Sequence, residues 1–200
     1  MAIEGTIEVR YRPAIDVEQA DELVDVQELL LVLEQPGGPV RLAEIGRKRL
    51  PPPDDDQASP NWGHVRRVVD DRGDLDDVLG DWTYGTRSQG IRHQSETRLA
   101  ARGSWTLEGR ARDTRLRLEL TPELDDQRLL DQLGIAPEAT YLVNIKNPRA
   151  KGDAGLEPGE RADYPEELQA VFDGNRWTGL DPVELFDHVG AEFLLIPAEG

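Results

Sequence analysis

Apolar and polar residues alternate along several short segments of this chain, and this alternation restricts the fold more than any other feature. In residues 5–12, Ile7, Val9 and Tyr11 alternate with polar side chains, which is the period of a half-buried strand. Similar short segments, bounded by Pro, Gly or charged residues, predict further strands at 26–34, 40–45, 64–69, 140–146 and 192–196. A helix over 17–34 is the alternative for the second of these segments.

Residues 105–120 contain two such segments, joined by a polar connection that includes Gly109 and Asp113. This pattern predicts a β-hairpin. The register that suits both segments pairs Trp105 with Leu118, Leu107 with Leu116, Thr106 with Arg117 and Glu108 with Arg115.

Helical signals are fewer. A helix is predicted over 122–133. Its signals are Thr121 as the N-cap, Pro122 at the first helical position and Gly134 after the last turn. Further short helices are expected at 74–80, 165–172 and 182–189. The Pro/Asp-rich segment 50–60 is expected to be a surface loop, and the Pro-, Gly- and charge-rich segment 147–164 a long exposed loop.

Together these signals predict an α+β protein in which residues 1–200 form a single domain. Its core would be a mainly antiparallel sheet of about seven to nine strands, with three or four short helices packed against one face or end. A chain of 200 residues is long enough to bury a core of this kind.

The charge is high and unevenly distributed. The 40 acidic and 23 basic residues give a net charge of −17, and 20 of the basic residues are arginines. Residues 87–117 contain eight arginines against three acidic residues, so this stretch is locally basic. Two explanations of this composition remain open and have equal weight, namely adaptation to a cytosol rich in salt and a nucleotide bias that favours Arg, Ala, Gly and Pro codons.

Several function classes lack support. The chain has no cysteine, which removes disulfides and thiolate chemistry, and its start resembles neither a secretory signal nor a membrane span, so a cytoplasmic protein is expected. No metal site and no cofactor is predicted, because the three histidines lack zinc-ligand spacing and no glycine-rich phosphate cradle occurs.

Residues 82–93 form the densest candidate site and are expected to be a loop. Trp82, Tyr84, Arg87, Arg92 and His93 combine aromatic surfaces, guanidinium groups and an imidazole. Arginines can grip a carboxylate or phosphate, while His93 and Tyr84 could transfer protons. The structural alternative is that the aromatics anchor a loop and the arginines pair with neighbouring acids.

The second candidate is an Arg-rich face of the predicted sheet, to which Arg98, Arg115 and Arg117 would contribute. Such a face could hold a small anion or an acidic partner. The alternative is a set of exposed ion pairs, each worth ~0–1 kcal/mol.

Two functions therefore remain open. The first is a non-enzymatic binding or accessory module, partner-binding or self-associating, that uses the Arg-rich segment 87–117 to meet an acidic partner or small anion. The second is an enzyme for an anionic small molecule, with His93 and Tyr84 as catalytic residues and Arg87 and Arg92 holding the charge. Nucleic acid is an unfavourable partner because the rest of the chain is strongly acidic, and no membrane partner is expected.

Overall fold

A computed structural model describes residues 2–53, 59–86, 90–109, 113–150 and 155–199. The strands in these residues are β1 (Ile3–Pro13), β2 (Val26–Glu34), β3 (Val40–Ile45), β4 (Asn61–Val69), β5 (Trp82–Thr86), β6 (Gly90–Gln94), β7 (Arg98–Glu108), β8 (Arg115–Pro122), β9 (Glu138–Lys146), β10 (Trp177–Gly179) and β11 (Glu192–Pro197). The α-helices are α1 (Asp76–Leu79), α2 (Gln127–Leu133) and α3 (Glu166–Ala170), and short 3-10 helices occupy Leu23–Asp25, Gly46–Lys48, Arg72–Leu75 and Val183–Phe186.

Eight strands close into a barrel in the order β1-β2-β3-β4-β11-β9-β8-β7, and every pairing is antiparallel. The ring closes where β7 pairs with β1, from Ile3 opposite Leu107 to Tyr11 opposite Arg98. The short strand β10 continues the edge of β9 beyond the point where β8 ends. The sheet therefore has no open edge along its main strands.

The apolar side chains that alternate along the strands point inwards and fill the barrel. Ile7, Val9 and Tyr11 of β1 belong to one core cluster with the inward residues of the other strands. A cavity of about 20 Å³ remains near Arg41, which is no larger than the space of a single water molecule.

The two ends of the barrel are covered by the connections between strands. The connection from β8 to β9 contains α2, whose Leu129, Leu130 and Leu133 join the core. At the opposite end, the segment between β10 and β11 contributes Leu185 and Phe186. Because the interior and both ends of the barrel are filled, a functional site is expected on the outer surface.

The outer faces of β2 and β3 are covered as well. Leu30, Val32 and Leu42 form a second cluster with Leu75 and Leu79, from the 3-10 helix and α1 that follow β4. Both faces of β2 are therefore buried, which explains its continuous apolar run.

The predicted single domain with a mainly antiparallel sheet and few short helices is confirmed, and so is the register of the β7–β8 hairpin. Closure of the sheet into a barrel was not predicted. Residues 26–34 form a strand, which excludes the alternative helix over 17–34.

Three local predictions are wrong. Residues 82–86 and 90–94 form a β-hairpin instead of a loop. The helix predicted over 122–133 begins only at Gln127, because β8 continues through Pro122 and Asp126 provides the cap. The helix predicted over 182–189 is a 3-10 helix confined to Val183–Phe186.

The loops predicted at 50–60 and 147–164 include residues 54–58 and 151–154, which lie outside the described residues. For those residues the loop assignments stay predictions. In the described part of 147–164, Asn147, Ala162 and Tyr164 are buried.

Candidate functional site

The hairpin arm, residues 82–86 and 90–94, projects from the barrel as a separate two-stranded sheet. Tyr84 lies opposite Arg92 and Trp82 lies opposite Gln94. The exposed fractions are 40% for Trp82, 38% for Tyr84 and 80% for Ile91. An isolated hairpin is marginally stable in water, so this arm needs support from the rest of the protein.

That support comes from Arg12, near the end of β1, which is only 1% exposed. Its Nη1 donates to the backbone oxygens of Gly80 at 3.0 Å and Ser95 at 2.7 Å, on either side of the arm. The Cζ atom lies 4.4 Å from the ring centroid of Trp82, within cation–π range. Arg12 thus clamps both ends of the hairpin arm to the barrel wall.

The polar groups of the arm contact the loop that follows β1. The backbone N–H of His93 donates to Asp16 Oδ1 at 3.0 Å, and Arg92 forms an ion pair with the same carboxylate. These two donors, the backbone group first, lower the pKa of Asp16. His93 Nε2 lies 3.4 Å from Asp81 Oδ2, and the imidazole is about half exposed.

The structure brings four of the predicted site residues together on the arm, namely Trp82, Tyr84, Arg92 and His93. Arg87 lies outside the described residues. The catalytic and ligand-binding roles assigned to these residues stay predictions.

The arginines of the predicted Arg-rich face are spread along the barrel. Arg98 pairs with Glu96 at 3.2 Å near the arm, and Arg115 pairs with Asp113 at 3.4 Å towards the opposite end of the barrel. Arg98 begins β7, and Arg115 lies opposite Glu108 at the other end of that strand. With a rise of about 3.3 Å per residue, the two arginines are therefore roughly 30 Å apart. Arg117 has no ion pair with a described residue.

A row of charged residues across the outer wall was missed by the sequence analysis. Glu44 of β3, His64 of β4 and Glu192 of β11 are direct neighbours across the strands. Glu192 accepts from Lys146 Nζ at 2.9 and 3.1 Å, and this pair is almost fully buried. Charged residues inside otherwise apolar strands were the available signal, but pairing between distant strands was needed to align them.

Burial disfavours the charged forms of Glu44 and His64 in this row. Desolvation raises the pKa of Glu44, with Arg66 acting in the opposite direction. Desolvation, followed by the charge of Arg66, lowers the pKa of His64. His64 Nδ1 is buried without a hydrogen-bond partner among the described residues. Both pKa shifts are thus in the direction of the neutral side chain.

In the part of the chain that the structure describes, no group of three or more His, Cys, Asp or Glu side chains is arranged to hold a metal ion. No helix within the same ranges has the length and apolar composition required to cross a bilayer.

The fold defines a class: a filled, closed eight-stranded antiparallel barrel that carries a clamped hairpin arm. Comparison with known proteins gives no match, whether with protein-family models, with curated proteins or with solved structures.

Proposed function

We propose that the protein is a non-enzymatic binding module that self-associates through the free edge of β5. The observation that carries this proposal is the composition of that edge. Among the described residues no strand pairs with the outer side of β5, and its sequence, Trp-Thr-Tyr-Gly-Thr, contains neither a charge nor a proline. Exposed edge strands normally carry such groups, which prevent association.

The hydrogen bonds of His93 identify the backbone groups that are available on this edge. The N–H of His93 donates to the Asp16 side chain, and its carbonyl accepts from Asp16 N at 2.9 Å. Both groups therefore point away from β5. In an antiparallel pair the opposite residue does the same, so Thr83 directs its N–H and C=O outwards, and Gly85 follows two residues later.

A second copy of the chain fits this edge by symmetry. In an antiparallel pair of β5 strands centred on Tyr84, Thr83 of each copy exchanges hydrogen bonds with Gly85 of the other. Trp82 and Tyr84 of both copies then share one face of a continuous sheet. The paired residues are uncharged, so the net charge of −17 is not concentrated at this contact.

Sedimentation velocity tests the proposal. Thr83→Pro removes an outward N–H and no hydrogen bond of the hairpin, so we expect it to weaken the dimer by at least about tenfold. Thr83→Val retains the N–H and serves as the control, with circular dichroism to verify that both variants are folded. A wild-type protein that stays monomeric at high concentration and high salt, or a Thr83→Pro variant that dimerises as well as wild type, overturns the proposal.

An acidic partner or small anion on the Arg-rich segment 87–117 is a second binding proposal. Its support is the local excess of arginine in the sequence and the availability of Arg117. Arg98 and Arg115 already contact carboxylates, so an incoming anion would have to displace these groups.

The enzymatic alternative at residues 82–93 has one supporting observation, the His93–Asp81 pair. A carboxylate beside an imidazole can orient it as a general base. A thermal-shift screen of small anions on wild type and His93→Ala tests this alternative. A stabilising compound that depends on His93 supports it, and equal shifts for both proteins count against it.

A further inference from the structure

An open cavity of about 710 Å³ lies where β9 ends, beside α3 and the turn before β10. It belongs neither to the hairpin arm nor to the Arg-rich segment. Its volume is within the range of ordinary small-molecule sites. The polar residues that line it are Asn147, Arg149, Glu166, Gln169 and Arg176.

Asn147 organises this cavity and is only 7% exposed. Its Oδ1 accepts from the backbone N–H of Arg149 at 3.0 Å and from Gln169 Nε2 at 2.9 Å. Its own backbone N–H donates to the carbonyl of Arg176 at 2.9 Å. One buried side chain and its backbone therefore fix the main-chain positions of both arginines.

The two guanidinium groups of this cavity have no ion pair and no side-chain hydrogen bond with a described residue. Most other described arginines do have such partners, as in Arg41 with Asp187 at 2.6 Å and Arg102 with Glu123 at 2.5 Å, although Arg117 does not. In a chain whose acidic residues outnumber its basic residues 40 to 23, two arginines that line one cavity without carboxylate partners favour an external anion.

We propose that this cavity binds a small anion that carries a carboxylate or phosphate group, held by Arg149 and Arg176. Both anionic groups match the planar donors of a guanidinium. Glu166 lies in the same lining and repels a bare anion. It favours a ligand that also carries a hydroxyl or amino donor.

Isothermal titration with inorganic phosphate, glycerol 3-phosphate and malate tests the proposal. We expect at least one of these probes to bind, and Arg149→Gln and Arg176→Gln each to weaken binding by about tenfold or more. Tighter binding of glycerol 3-phosphate than of malate identifies a phosphate ligand, and the reverse order identifies a carboxylate.

Arg128→Gln is the matched control, because it removes the same charge from an exposed arginine of α2, outside the cavity. It should leave the affinity unchanged. Equal weakening by Arg128→Gln, or absence of binding of all three probes to wild type, overturns the proposal. A dimerisation-deficient Thr83→Pro protein should retain the affinity, so this result is independent of the proposed self-association.

Discussion

Arg12 carries a positive charge at a position that almost no water reaches. Its fully buried guanidinium donates to backbone carbonyls on both sides of the hairpin arm and to Glu28 at 3.2 Å. A planar fork with several donors can satisfy such a set of acceptors, whereas a lysine ammonium presents its donors from a single point. This position therefore requires the shape of an arginine side chain in addition to its positive charge.

We expect Arg12→Lys to lower the free energy of unfolding by about 2–3 kcal/mol, because buried carbonyls at the base of the arm lose their donors. Urea denaturation, followed by tryptophan fluorescence, measures this change. The control is Arg102→Lys on β7, where the side chain is largely exposed and pairs with the carboxylate of Glu123. A similar loss in both variants would contradict the role assigned to Arg12.

His64 makes stability dependent on pH, because burial lowers its pKa in the folded protein. The unfolded chain takes up a proton near pH 6.5 and the folded protein does so only at lower pH. The free energy of unfolding should therefore fall as the pH drops below about 6.5, by at most about 1.4 kcal/mol per pH unit for one group.

Denaturation curves between pH 7.5 and pH 5, on wild type and His64→Gln, measure the contribution of His64. The variant should lose part of the slope. Glu44 has a raised pKa, so its protonation in the folded state acts in the opposite direction at the acidic end of this range. Identical slopes for the two proteins would refute the assignment to His64.

At the scale of single elements, local signals were sufficient where the partner strand follows closely in sequence. The β7–β8 register was predicted because few residues separate the paired segments, and their alternation leaves one consistent alignment. Gly134 was correctly predicted to end α2, where it adopts a left-handed conformation with φ of 71°. The start of α2 was predicted wrongly, because pairing with β7 extends β8 through Pro122, beyond its local pattern.

Asp126 is the cap that replaces the predicted Thr121, and its side chain accepts from the backbone N–H of Leu129 at 3.1 Å. We expect Asp126→Ala to lower the free energy of unfolding by about 1 kcal/mol. Asp126→Asn retains the acceptor and should cost much less. Thermal unfolding of both variants separates loss of the cap from loss of charge, and equal destabilisation would exclude a capping role.

The hairpin arm shows the limit of element-scale prediction. Trp82 and Tyr84 already alternate with threonine, which is a strand signal, but the glycines and charges around them favoured a loop. The hairpin depends on Arg12, which is distant in sequence and clamps its base. Local propensity therefore underestimated a structure that a tertiary contact maintains.

At the scale of the whole molecule, the net charge of −17 opposes compaction. Added salt screens this repulsion over a Debye length of about 10 Å at 0.1 M. We expect the Tm to rise between low and high KCl concentrations, as measured by differential scanning calorimetry. A constant or falling Tm would contradict dominant self-repulsion and favour codon bias as the origin of the composition.

The sequence alone determined that this chain forms antiparallel strands with alternating faces, one hairpin register and an acidic body with few lysines. These properties depend on neighbouring residues and on composition. Only the tertiary structure decided that the sheet closes through β7 and β1, that Arg12 supports the arm, and that Asn147 places Arg149 and Arg176 around one cavity. The reason is that alternation specifies which side chains share a face, whereas closure and site assembly depend on pairings between segments far apart in the chain.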